Sequence, residues 1–371
     1  MNDFGDGFAF VPTEERSLLH DMLGRFFDEA DTSVSNWREL WQASADLGVP
    51  AAALPPEEGG MGHGLAMMTI AERIGWAGVV SPFVWSSAVA TRALSRLDSC
   101  EALARHRHKL AAGESIATIA FHEDDTYPMI FTPHAHAVKE GDGYRLNGRK
   151  RMVPFGAEAQ LVLVPAMLEK ELALFAVDVS THGSVIRRYA AVDLTPCADL
   201  CFKDITLDGD ALLACGRQAE DLLAWMQDAW IAALCADAVG AMRRLVEMTG
   251  SYLKVRKQFD RPLSSNQALR HRFVDLDIEL AQAETVTEWA AAVLDTATAP
   301  ERHRAICTAH YTVVKAAWKI SQEAVQMHGG IGMAAETPVG LYFKRLLTTA
   351  LVAGDEDRAI LAYDQKILET A

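Results

Sequence analysis

The spacing of apolar residues changes twice along the chain, and each change marks a different kind of element. From Thr13 to about Ala112 the period is helical: Leu18, Leu19, Met22, Leu23, Phe26 and Phe27 form one stripe. Thr13 stands before it as an N-cap, with acids in the first turn. PPEEGGMGHG, from Pro55 to Gly64, interrupts this pattern and reads as a loop between helices. Its G-x-G fragment follows no strand, so it is no dinucleotide fingerprint. From about Ser115 to Cys215 the runs are short: SIATIAF, HAHAVKEGDGYRLNG, LVLVPAML, LALFAVDV and LCFKDITL read as strands. Glu140-Gly141-Asp142-Gly143 reads as a hairpin turn.

After about Gln218 the helical period returns. One long helix is expected from near Asp221 to Lys257. A second follows the turn Arg261-Pro262-Leu263 on a stripe of Leu269, Phe273, Leu276 and Leu280. A third, about Arg302 to Met327, stops at Gly329-Gly330, and shorter helices surround Tyr342 to Leu351 and Asp357 to Leu368. The order predicts an α+β fold: an N-terminal helical domain (1–113), a central small β-barrel or sandwich domain (114–217) and a C-terminal four-helix bundle (218–371).

Composition narrows the functions. With 371 residues the chain is long enough for two or three packed units, and a formal net charge of −15 argues against non-specific nucleic-acid binding. An anionic ligand would need a local cationic pocket. The segment MNDFGDGFAFVPTEER carries acids and no long apolar region, and charges interrupt the apolar stretches elsewhere. Neither a signal peptide nor a membrane span is expected. The six cysteines (Cys100, Cys197, Cys201, Cys215, Cys235 and Cys307) lack zinc-site spacing, and His134 and His136 share a strand face without further ligands. These features predict a cytoplasmic protein with reduced thiols and no metal.

Two segments carry the candidate chemistry. In YLKVRKQFDRPL, Arg256 ends a helix and Gln258 and Phe259 occupy the following turn. Arginine suits a pyrophosphate because its planar fork makes two charge-assisted hydrogen bonds. In QMHGGIGM, Gly329 and Gly330 let a ligand approach the backbone, with Gln326 one turn earlier. His328 suits a hydrogen-bonded helix end, and Lys344-Arg345 could face a phosphate or complement a helix C-terminus. Taken singly, the glycines are a helix cap and the arginine is half of a surface ion pair.

Together, in this order and with DGYRLNGRK and PPEEGGMGHG, these segments resemble the acyl-CoA dehydrogenase family over nearly the whole chain. The resemblance implies flavin adenine dinucleotide (FAD) as cofactor and an acyl-CoA thioester as substrate, with electron-transfer flavoprotein as acceptor. It also implies subunit assembly in which Arg256, Gln258, Phe259, Gln326, Gly329 and Gly330 reach the FAD held mainly by a neighbour. Departures sharpen it. The family's catalytic glutamate often sits in a loop that falls on Ala353 here, and in some members on the long helix at the position of Trp230. His122-Glu123-Asp124 and Met152-Val153-Pro154-Phe155 stand where family members carry flavin-facing segments. ALCADAVGAM, QMHGGIGM and VGLYFKRL are similar to the small subunits of heteromeric family members of the pimeloyl-CoA and steroid-degradation types.

The expectation is therefore a subunit lacking its own base, which completes the site of a glutamate-carrying partner in an α2β2 heterotetramer. Two alternatives stand beside it: a self-sufficient homotetramer using a displaced base, Asp228 or Glu356, and a non-catalytic acyl-CoA-binding or scaffolding relative.

Overall fold

The computed structural model describes residues 14–30, 33, 36–98, 101–124, 133–179, 185–334 and 337–370. Thr13 and Cys100 lie outside the described residues. The N-terminal helices are α1 (Glu14–Glu29), α2 (Trp37–Asp46), α3 (Gly64–Ala77), a π-helical α4 (Val84–Thr91) and α5 (Glu101–Ala111). α1 turns Leu23 and Phe27 inward, as its stripe predicts. The PPEEGGMGHG loop folds tightly: a Cβ at Gly60 would lie 2.0 Å from the Leu54 carbonyl oxygen, so only glycine fits.

The middle of the chain forms β1 (Ala117–Ile119), β2 (His136–Glu140), β3 (Gly143–Pro154), β4 (Leu161–Leu168), β5 (Glu171–Asp178), β6 (Val185–Ala190), β7 (Pro196–Leu207) and β8 (Leu212–Cys215). The β2–β3 hairpin turns at Gly141, with φ +59°, where the sequence places it. The strands pair in the order β6-β7-β3-β2-β4-β5-β8, with β1 parallel to β4. This is one mixed sheet. The barrel alternative of the expected β domain is corrected: among the described residues β6 and β8 end the path without pairing to each other, so the sheet does not close into a barrel.

Five helices follow: α6 (Arg217–Val255), α7 (Gln267–Val293), α8 (Ala299–His328), α9 (Val339–Ala353) and α10 (Glu356–Thr370). α8 opens on a capping box in which Thr298 and Glu301 bond reciprocally, and it closes on Gly329 at φ +65°. α3 and α6 cross at backbone contact. A Cβ on Gly75 would sit 1.9 Å from the Asp237 carbonyl oxygen, and one on Gly240 1.8 Å from that of Glu72. α6 also corrects the expectation that no span is long enough for a membrane helix. It contains an 18-residue window that passes by length and hydropathy, but 78% of that window is buried inside the protein. It is a core helix.

Candidate functional site

A cleft of about 420 Å³ opens between the sheet and the helices. Its helical wall carries Val84 and Trp85 of α4, Leu234 and Asp237 of α6, and Arg345, Thr348 and Thr349 of α9. The sheet side carries His122, Met152 and Pro154, and the turn after β6 adds Asp193 and Thr195. Arg345 is held by Asp237 through two bonds of 2.5 and 2.7 Å, and its Nη1 also donates to the Val79 carbonyl at 2.9 Å. Burial works against the Arg345 charge, and the Asp237 carboxylate outweighs it, so the guanidinium stays protonated. Lys344-Arg345 is thus no simple phosphate clamp: its arginine is taken up by an internal ion pair. His122 is held down near 4, by burial first and then by the nearby Lys150, so its imidazole is neutral. Burial likewise pushes the Cys197 thiol up to about 12, leaving it protonated.

The carboxylate beside His122 has a structural duty. Glu123 is buried, accepting from Lys150 Nζ at 2.6 Å and from the His134 and Ala135 backbone N–H groups at 2.6 and 3.2 Å. His134 is exposed, and among the described residues no group of His, Cys, Asp and Glu has the arrangement of a metal site.

At the two positions where the family resemblance puts a base, the chain has none. Trp230 is buried in an aromatic cluster, with ring centroids 5.3 Å from Trp85, 5.5 Å from Phe121 and 5.7 Å from His122. Ala353 is buried at the end of α9, and the next carbonyl, Gly354, accepts a 2.9 Å bond from His310 Nε2. Burial holds His310 near 4 and so neutral, although the bond to the Gly354 carbonyl favours the charged ring.

The displaced-base candidates are placed elsewhere. Asp228 is 1% exposed; its two oxygens take Arg302 Nε at 2.7 Å and His303 Nδ1 at 2.9 Å. Its carboxylate is committed to a buried pair and does not line the cleft. Glu356 is exposed in the first turn of α10, where an acid complements the helix N-terminus.

The remaining candidates face outward. Tyr252 and His328 stack with centroids 4.5 Å apart, and the Tyr252 hydroxyl donates to the His328 carbonyl at 3.3 Å. That contact ties the end of α6 to the end of α8. Arg256 lies one turn beyond Tyr252, its N–H bonded to the Tyr252 carbonyl at 2.8 Å, while Gln326, Gly329 and Gly330 flank His328. All four are exposed. Among the described residues nothing hydrogen-bonds or ion-pairs with the Arg256 guanidinium. A Cβ at Gly329 or Gly330 would meet nothing within 4 Å, so both backbones border open space.

The two-stranded hairpin after α6 (β9, Lys257–Gln258; β10, Arg261–Pro262) turns through Phe259 at φ +52° and Asp260 at φ +64°. Two positive φ values form the twist-matched hairpin turn that glycine or asparagine usually supplies. A phenylalanine there is strained by about 1–2 kcal/mol, and it is held 93% exposed. Val255, Ile331 and Met333 are also exposed apolar side chains.

The implied FAD fits these two surfaces differently. The outward face offers an uncommitted guanidinium, an amide side chain and two accessible glycines. The cleft offers few donors. At the end of β3 the N–H groups of Arg151, Met152 and Phe155 already bond the His122 carbonyl, Asp199 and the Pro196 carbonyl, at 2.8, 3.2 and 2.7 Å. Pro154 has no N–H at all. A dinucleotide, rich in acceptors and anionic, does not suit that lining.

Comparison with known proteins agrees with the fold and the segment order. Residues 232–367 match the model of the acyl-CoA dehydrogenase C-terminal domain. The chain is 27% identical over 368 residues to acyl-CoA dehydrogenase FadE27 of Mycobacterium tuberculosis, covering 97% of this chain and 93% of that protein. It is 27% identical over 354 residues to acyl-CoA dehydrogenase IpdE2 of Mycolicibacterium smegmatis, covering 92% and 95%. Among solved structures, the ChsE4-ChsE5 complex from Mycobacterium tuberculosis superposes with a TM-score of 0.87 at 24% identity, over 98% of this chain and 99% of that one.

Proposed function

Because the chain belongs to the acyl-CoA dehydrogenase family, we propose that it is the subunit without a base in an FAD-dependent heteromeric dehydrogenase, completing a partner's flavin site in an α2β2 assembly. The observation that carries this is the contrast between the two surfaces. Both base positions hold Ala353 and Trp230, whereas Arg256, Gln326, Gly329 and Gly330 stand exposed around the Tyr252–His328 contact. The likeness to a complex of ChsE4 with ChsE5 supports the same assignment.

FAD, when bound, supplies the hydride acceptance that lets an acyl-CoA thioester be desaturated between Cα and Cβ. This chain's part is binding and orientation. The Arg256 guanidinium neutralises pyrophosphate charge, Gln258 and Gln326 give amide hydrogen bonds, and the accessible backbone at Gly329-Gly330 lets the dinucleotide approach. Phe259, fixed outward by its turn, gives an apolar contact to the same ligand or to the chain that holds it. The partner contributes the glutamate that removes the α-proton, and electron-transfer flavoprotein is the acceptor.

The test is flavin stoichiometry and acyl-CoA-dependent bleaching of the flavin. The chain should bind no FAD alone and should yield one flavin per two chains when co-expressed with its dehydrogenase partner. One FAD per subunit and dehydrogenation by the chain alone would overturn the proposal.

A further inference from the structure

The cleft is too large to be a packing defect and too poor in free donors for a dinucleotide. At about 420 Å³ it falls in the ordinary range of small-molecule sites. Four of its hydroxyls have a common property. The Tyr189 hydroxyl donates to Asp199 at 2.8 Å, Thr195 to Asp193 at 3.0 Å, Thr348 to the Lys344 carbonyl at 3.0 Å, and Thr349 to the Arg345 carbonyl at 3.3 Å. Each hydroxyl has therefore spent its one proton inside the protein and keeps a lone pair to accept with. The charges point the same way. The lining carries two carboxylates, Asp193 and Asp237, against one guanidinium, Arg345, and that guanidinium is already paired; His122 is neutral. Ser81 Oγ accepts from the Phe83 N–H at 3.2 Å and keeps its proton, so an anion entering the cleft would meet net negative charge and few hydroxyl protons to set against it. The rest of the wall is hydrocarbon and aromatic, with Phe83, Trp85, Leu234 and Val352 prominent.

We propose that this cleft binds a neutral, mostly hydrocarbon molecule bearing a hydroxyl group. The hydrocarbon displaces water from the apolar walls, and the hydroxyl donates to a lone pair on Thr348, Thr349 or Tyr189. The proposal rests on the reading that the chain's own cofactor cleft no longer takes flavin. It adds a ligand class that is neither an acyl-CoA nor a dinucleotide.

The experiment uses the full chain without a partner, and its probes are 1-dodecanol and dodecanoate at pH 8. Trp85 lines the cleft and Trp230 packs against it, so intrinsic tryptophan fluorescence reports occupancy. Dodecanol should change the fluorescence saturably, and dodecanoate should bind roughly tenfold more weakly or worse, because its charge is desolvated without a partner. Asp193→Asn should narrow that gap by strengthening dodecanoate binding. Leu234→Phe should weaken dodecanol by filling the cleft, with circular dichroism confirming the fold. If Leu234→Phe does not fold, the Asp193→Asn ratio decides. Equal binding of the two probes, an unchanged ratio in Asp193→Asn, or dodecanol binding unaltered in a folded Leu234→Phe chain would overturn the proposal. None of these results bears on flavin stoichiometry in the assembled pair, so the two proposals fail separately.

Discussion

Replacing Asp228 with asparagine separates a structural acid from a catalytic one. Asp228 is 1% exposed and accepts from both Arg302 and His303. His303 also faces the Ala362 carbonyl and the Cys307 sulfur through Nε2, each at 3.4 Å. With an oxygen acceptor opposite each ring nitrogen, the imidazolium is the favoured form. Burial opposes that charge, but the hydrogen bond to Asp228 outweighs it, and the His303 pKa is raised from 6.5 to about 9. A rise from 6.5 to about 9, at roughly 1.4 kcal/mol per pH unit, corresponds to about 3 kcal/mol. Because the folded pKa is the higher one, this stability is fully present below 6.5 and is lost as pH rises through about 9.

Asp228→Asn leaves Arg302 and His303 buried without their counter-charge, a loss of about 3–5 kcal/mol by analogy with other broken buried pairs. Urea denaturation of both proteins from pH 6 to 9.5 should show a difference of about 3 kcal/mol at pH 6 that shrinks towards alkaline pH. The His303 ring, followed by NMR, should titrate well below 9 in the variant. A cost under about 1 kcal/mol at pH 6, or a His303 that still titrates near 9, would refute this account of the pair. In the assembled complex the folded variant should dehydrogenate at the native rate; loss of turnover with native flavin content would make Asp228 a base after all.

Two further outcomes follow from the same geometry. Arg256→Ala in the assembled pair should weaken flavin retention by about 1.5–3 kcal/mol, roughly ten- to hundredfold; equilibrium dialysis measures it, and unchanged affinity would remove Arg256 from the pyrophosphate. His122 and His310 are both buried neutral near 4, so the stability they contribute is complete above 6.5 and falls as pH drops towards 4. His310→Gln should flatten part of that acid loss in a pH series of thermal melts, and an unchanged acid limb would refute its assignment.

Much of the helical frame was legible in the apolar stripes. The third C-terminal helix, expected at about Arg302 to Met327, spans Ala299–His328, and its Gly329 stop is where the sequence puts it. β6 was not legible, because VIRRYA carries two arginines in mid-strand and shows no apolar alternation. Nor was the barrel question: whether a set of strands closes depends on how its two edges meet, and that is not written in any one strand. The outward candidates came from family resemblance, but what brings them together, Tyr252 against His328, is a contact across 76 residues. Asp237 and Arg345, 108 residues apart, make a cleft-wall ion pair that no local spacing announces. Asp228 looked like an available acid only because its partners lie far along the chain.

The strained turn that holds Phe259 in water has a cost outside the enzyme. Val255, Ile331 and Met333 are exposed as well, so a copy without a companion shows several apolar side chains to water. In the proposed heteromer, surplus copies would self-associate or be cleared by quality control, and the useful supply would be set by whichever chain is scarcer. With the proposed partner in place that surface would be covered, so balanced synthesis of the two polypeptides would keep this one from associating with itself.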